Sequence, residues 1–250
     1  MDRDQVVLVT GGSRGIGAAT ALLAAQRGYA VAVNYASNSL AADAVVRAIC
    51  AEGGRAIALQ ADVGDEAQIV AMFEQIDAKL GRLTALVNNA GVVDQQTRVD
   101  QITVARLERM LRINVIGSFV CAREAVLRMS TRHGGRGGAI VNVSSVAAQL
   151  GSAGQYVDYA ASKGAIDTFT LGLAREVATE GIRVNGVRPG LIDTDIHASG
   201  GMPERASMLA PSVPMKRTGS AQEVANAIVW LLSDDAAYVT AATLDVSGGR

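Results

Sequence analysis

The feature that most constrains this chain is a series of short, β-branched apolar segments, each followed by a longer stretch of helical period. Residues 5–10, 30–34, 56–60, 85–88, 139–144, 183–188 and 243–246 read as strands. These segments are apolar almost throughout rather than alternating, the pattern of strands covered on both faces. Between them, Asp65 with Gln68 three residues on opens a helical stretch carrying Ile69, Met72, Phe73, Ile76 and Leu80, closed by Gly81. Ser220 with Glu223 opens another before Val224, Ile228, Leu231 and Leu232. Seven strands alternating with about six helices predict an α/β fold: a doubly wound, mostly parallel sheet with right-handed crossovers and helices on both faces. No composition break divides residues 1–250, so one domain is expected, and the glycine cluster at 134–138 suits a helix-to-strand loop.

Charge excludes several function classes. With 23 basic and 24 acidic side chains the net charge is −1, which offers no field for nucleic acid or an anionic membrane surface. A small molecule is the expected partner. Cys50 and Cys121 form no CxxC pair and are too few for a disulfide framework or a metal site, so a reducing compartment is expected. The charged start at residues 1–5 runs straight into a strand, with neither signal-peptide regions nor a run of ~20 apolar residues. The cytoplasm is the expected location.

The first strand leads through Thr10, Gly11, Gly12, Ser13, Arg14, Gly15, Ile16 and Gly17 into an alanine-rich helix. Glycines at such a turn let a pyrophosphate approach the N–H groups at a helix start. In dinucleotide sites an acid at the end of the second strand binds the adenosine ribose. Here Asn34 and Tyr35 stand in that place, followed by Ala36, Ser37 and Asn38, with no carboxylate among them.

Tyr159 and Lys163 lie four residues apart in a helical stretch, so they share a face. A phenol with a pKa of ~10 is a poor base at neutral pH unless its anion is stabilised. An ammonium at ~4 Å and an effective dielectric of ~20 supplies roughly 4 kcal/mol, a shift of up to ~3 units before desolvation opposes it. Ser144 and Ser145 close the fifth strand at its carboxyl end, where ligands of open α/β sheets collect, and a hydroxyl there can bond a substrate carbonyl.

The order and spacing of these motifs resemble the classical short-chain dehydrogenase/reductase family over residues 5–249, essentially the whole chain. The carriers are Gly11, Gly15 and Gly17 after Thr10, the Asn88–Gly91 turn, Ser145, the Tyr159 and Lys163 pair, and the Pro189 and Gly190 turn. The resemblance implies a single Rossmann-type domain with Asn114, Ser145, Tyr159 and Lys163 as catalytic residues, Ser144 being a minor competitor of Ser145. Asn114 would sit at a helix irregularity and hold a water linked to Lys163. Tyr156, with Ala160 rather than Lys four residues on, is expected to pack or to line the pocket.

For the cofactor, the resemblance implies contacts from the glycine turn (Gly11, Ser13, Arg14, Gly15, Ile16 and Gly17) and from Asn34 and Tyr35. Asp62 and Val63 would meet the adenine, although Asp62 could instead cap the next helix. Asn89, Ala90 and Gly91 would lie against the cofactor, as would Tyr159 and Lys163, and Pro189, Gly190, Ile192 and Thr194 would flank the nicotinamide. Arg14 matches the basic residue that pairs with the 2′-phosphate of NADP, so NADP(H) is favoured. Since no second basic residue follows Asn34, NAD(H) use stays open, and a solvated loop charge is the other reading of Arg14.

The expected activity is hydride transfer between nicotinamide and a carbonyl or secondary alcohol, with Tyr159 as general acid and base. Residues 193–215 would form a substrate lid carrying His197, Gly200, Gly201, Met202, Leu209 and Met215. Within the family the chain is similar to 3-oxoacyl-carrier-protein reductases and glucose-type sugar dehydrogenases. A non-catalytic NADP-binding regulatory protein is the alternative of a different class. The family also implies a homotetramer, and Ile166, Phe169, Leu173 and Val177 could be part of its contact or ordinary core.

Overall fold

A computed structural model describes residues 5–194, 201, 204 and 208–250. Seven strands form one sheet: β1 (Val6–Val9), β2 (Ala30–Tyr35), β3 (Ala56–Gln60), β4 (Ala85–Asn88), β5 (Gly138–Val143), β6 (Ile182–Pro189) and β7 (Thr243–Val246). Their spatial order is β3-β2-β1-β4-β5-β6-β7, and every neighbouring pair is parallel. The helices are α1 (Gly15–Gln26), α2 (Ser39–Ala51), α3 (Glu66–Lys79), α4 (Val104–Leu111), α5 (Gly117–Met129), α6 (Ala147–Leu150), α7 (Val157–Val177) and α8 (Ala221–Leu232).

The apolar character of the strands reflects burial on both faces. Leu8, Ala32, Leu86, Ile140 and Val184 pack toward α3, α5 and α7, meeting Phe73, Met72, Ala125 and Val177. The alternate positions Val7, Val9, Val31, Val33, Val87 and Val141 face α1, α2 and α8, meeting Ala21, Ile49, Val224 and Ile228. Since side chains alternate and both faces are covered, the sequence reads as a continuous apolar run. Ile166 and Val177 are buried, while Phe169 and Leu173 are partly buried against the core. No helix among the described residues is long and apolar enough to cross a membrane.

Asp65 caps α3 by accepting from Gln68 N, and the Gln68 carboxamide donates to Asp65 Oδ2 while its oxygen accepts from Asp62 N rather than from the Asp65 backbone. At α8 the capping box is complete, with Ser220 and Glu223 each satisfying the other's backbone. Between α4 and α5 stands a π-helical turn, Arg112–Ile116. Because all strands run the same way, their carboxyl ends share one edge. There β1 leads on to β2 and β3 on one side while β4 begins the other, and this switch point is where such sheets bind ligands.

Candidate active site

The turn from β1 into α1 is pinned to β4. The Thr10 hydroxyl donates to Val87 O and accepts from Asn89 N and Ala90 N, while Asn89 Nδ2 donates to the carbonyls of Thr10 and Gly11. Gly17 faces this lock so closely that a Cβ there would stand 2.3 Å from Gly11 O and 2.6 Å from Asn89 Nδ2. The third glycine therefore admits no side chain. Arg14 occupies the N-cap of α1, and its exposed guanidinium has no acidic partner among the described residues.

At the end of β2 the expectation needs correcting. Asn34 is buried, its Oδ1 accepts from Gly11 N, and its Nδ2 donates to Leu59 O and Ala61 O. Its carbonyl accepts from Gly12 N. Every polar atom of the side chain is already engaged, so Asn34 shapes the glycine turn from within instead of presenting its amide to a ligand. Tyr35, next in line, is half-buried. Asp62 is exposed and accepts from Gly64 N, and since Asp65 is the cap of α3, Asp62 is not needed for that purpose.

Ser145, Tyr159 and Lys163 converge on one cleft beyond β5 and β6, lined also by Ile16, Asn89, Gly91, Tyr156, Pro189, Gly190, Ile192 and Thr194. The two serines separate cleanly. Ser144 is buried with its hydroxyl donated to Lys163 O, whereas Ser145 Oγ accepts from Ala147 N and is hydrogen-bonded to Tyr159. Burial raises the Tyr159 phenol above its usual range, and the bond from Ser145 pulls the other way.

Lys163 Nζ lies 5.6 Å from the centroid of the Tyr159 ring and donates to Val143 O at 2.8 Å. Burial pushes Lys163 itself down to about 8, opposed by Asp167 one turn further along α7. Asn114 stands in the π turn, as the resemblance implied, but its side chain is committed to protein partners: Oδ1 accepts from Val92 N, and Nδ2 lies within bonding distance of Val92 O, Met110 Sδ and Ser162 Oγ. Oδ1 accepts that single bond and keeps a second lone pair, the site at which a water could be held. Gly91 fills the space between, where a Cβ would meet Asn114 Oδ1 at 3.4 Å and Lys163 Nζ at 3.5 Å.

The far wall comes from β6. Gly190 N donates to Val246 O, and a Cβ on Gly190 would stand 2.6 Å from Ser247 Cα, so only glycine permits β6 and the end of β7 to approach there. Val93, Val146, Ala147, Leu150, Leu191 and Arg250 also line the cleft. Sequence reasoning missed these, although Val93, Val146, Ala147 and Leu191 each lie within two residues of a predicted site residue. In the segment expected to form a lid, Leu209 packs on Leu191 and Val213, and Met215 N donates to Gly248 O. His197, Gly200 and Met202 lie outside the described residues.

A family model described as enoyl-(acyl carrier protein) reductase matches residues 11–250. An uncharacterised oxidoreductase of Escherichia coli, YgfF, is 60% identical over 98% of this chain and 99% of its own length. A 3-oxoacyl-(acyl-carrier-protein) reductase of Synechocystis is 40% identical over 98% of this chain and 96% of its own. Among solved structures, a short-chain dehydrogenase/reductase from Serratia marcescens gives a TM-score of 0.90 at 36% identity, covering 98% of this chain and 97% of that one.

Proposed function

We propose, for a chain that belongs to the short-chain dehydrogenase/reductase family, that it is an NADP(H)-dependent oxidoreductase acting on a carbonyl or secondary alcohol, with Tyr159 as its general acid and base. The observation that carries this reading is the Ser145 to Tyr159 hydrogen bond beside the Lys163 ammonium in one cleft at the carboxyl edge of the sheet. The side-chain-free turn at Gly17 and the exposed Arg14, which no acid among the described residues neutralises, fit a dinucleotide with an extra phosphate. Gly11, Ser13, Arg14, Gly15, Ile16 and Gly17 would hold its phosphates, Asp62 and Val63 its adenine, and Pro189, Gly190, Ile192 and Thr194 its nicotinamide. When bound, that cofactor supplies or accepts the hydride.

The Ser145 hydroxyl donates to the substrate oxygen, and Tyr159, kept protonated at neutral pH by its burial, gives that oxygen its proton. Lys163 holds positive charge beside the phenolate that results. The apolar side chains of Val93, Val146, Ala147, Leu150 and Leu191 favour a carbonyl with an apolar flank, as in a 3-oxoacyl group, over a sugar.

The test is turnover of NADPH and NADH against a panel of ketones, 3-oxoacyl thioesters and sugars. NADPH should be preferred, and Tyr159→Phe should lower kcat by about 10²-fold or more while leaving cofactor affinity in place. An unchanged kcat refutes the role of Tyr159, and cofactor binding with no turnover of any substrate favours a regulatory protein instead.

A further inference from the structure

Behind the cleft lies an ion pair that the proton chemistry does not use. Asp158, the residue before Tyr159, has a side chain only 1% exposed and pairs with Arg106 of α4, itself 12% exposed. The contact is a fork, with Arg106 Nε donating to Asp158 Oδ2 at 2.6 Å and Nη2 to Oδ1 at 3.2 Å. The remaining arm, Nη1, donates to the carbonyl of Gln95 at 2.7 Å. Gln95 lies two residues past Val93 of the cleft wall, and its Cγ is 3.7 Å from where a Cβ on Gly201 of the expected lid segment would stand. The same loop is tied across to the segment before α7 by Thr97 N donating to Gln155 O at 2.9 Å. One guanidinium thus joins α4, the loop after β4 and the first turn of α7.

We propose that Arg106 is a positioning residue for the reaction, fixing the gap between Tyr159 and the Val93 wall by bonding Asp158 and Gln95 at once. The proposal rests on the reading of Tyr159 as proton carrier. Arginine suits the task because its planar fork engages a carboxylate with two bonds and still has a donor to spare, where lysine offers a single point of charge. Displacing a reacting group by about 1 Å costs on the order of 10²-fold in rate, which makes a rigid clamp worth its burial.

The experiment compares the full chain with Arg106→Lys, Arg106→Ala, Asp158→Asn and the Arg106→Ala/Asp158→Asn double variant. Steady-state kcat and KM are measured beside NADPH affinity, read by fluorescence, and the thermal midpoint. Expected is a fall in kcat of about 10- to 100-fold for Arg106→Ala, only partial recovery with lysine, and a cofactor dissociation constant that stays where it was. The double variant should recover part of the loss, because Arg106→Ala strands the buried Asp158 charge and the second change removes it. If Arg106→Ala does not fold, Arg106→Lys and Asp158→Asn, which preserve shape, carry the test. Wild-type kcat in those two folded variants overturns the proposal, as does a loss of cofactor affinity in step with kcat. A wild-type chain that turns over no carbonyl, or a fully active Tyr159→Phe, overturns the reading beneath it instead.

Discussion

Lys163 is a cation held where cations are unfavourable. Burial moves it from the usual 10.5 to about 8, so between these values the unfolded chain keeps a proton that the folded chain has released. Stability contributed by this residue therefore rises with pH across that window, and below about 8, where both states are protonated, the penalty is felt in full. Its size is on the order of 3 kcal/mol, more than the about 1 kcal/mol of the hydrogen bond to Val143 O. Lys163→Met is expected to abolish turnover yet raise the stability measured by urea unfolding at pH 7, with the gain shrinking toward pH 10; a variant less stable at pH 7 contradicts this. The position of Lys163, Tyr159 and Ser145 was legible because a turn of helix and a strand end fix where side chains start. Where they end was not: Lys163 Nζ goes to a backbone carbonyl and Asn34 turns inward, choices set by neighbours far away in sequence.

The strands could be read almost to the residue because sandwiching between helix layers demands apolar side chains on both faces. The π turn at Arg112–Ile116 followed only from the family resemblance at Asn114 and not from periodicity, since one extra residue in a turn leaves the apolar spacing on either side intact. α6 could not be read, since its four residues are too few to carry a period. The glycine turn is the element where sequence and structure agree most sharply, and it yields the next prediction. Gly17→Ala would force its methyl group onto Gly11 O and Asn89 Nδ2, pushing the turn open. Expected are a loss of stability of about 1–3 kcal/mol and a tenfold or greater weakening of NADPH binding, checked by thermal unfolding and fluorescence titration. Wild-type affinity would mean that the turn does not hold the phosphates.

Among the described residues, exposed apolar side chains include Leu107, Leu111, Ile116 and Phe119 on α4, the π turn and α5, with Phe119 stacked on Phe169, and Trp230, Tyr238 and Leu244 toward the other end of the chain. Closed symmetric assemblies are a common way to bury such side chains. The face of α5 at Phe119, together with Phe169 of α7 stacked on it, is the surface to test for the tetramer that the family suggests. Light scattering should give a mass four times the 25.8 kDa of the chain, and Phe119→Arg should give a smaller species. A monomeric wild type refutes it. The lock between Thr10 and Asn89 also divides labour along the chain. On the proposed reading, residues before Gly91 grip most of the coenzyme, while those after it carry the proton chemistry and the cleft walls. Lineages could then trade substrates by recombining beyond that seam while inheriting the coenzyme preference unchanged, and a chimera joined at residue 91 with a 40% identical relative would re-enact such an exchange.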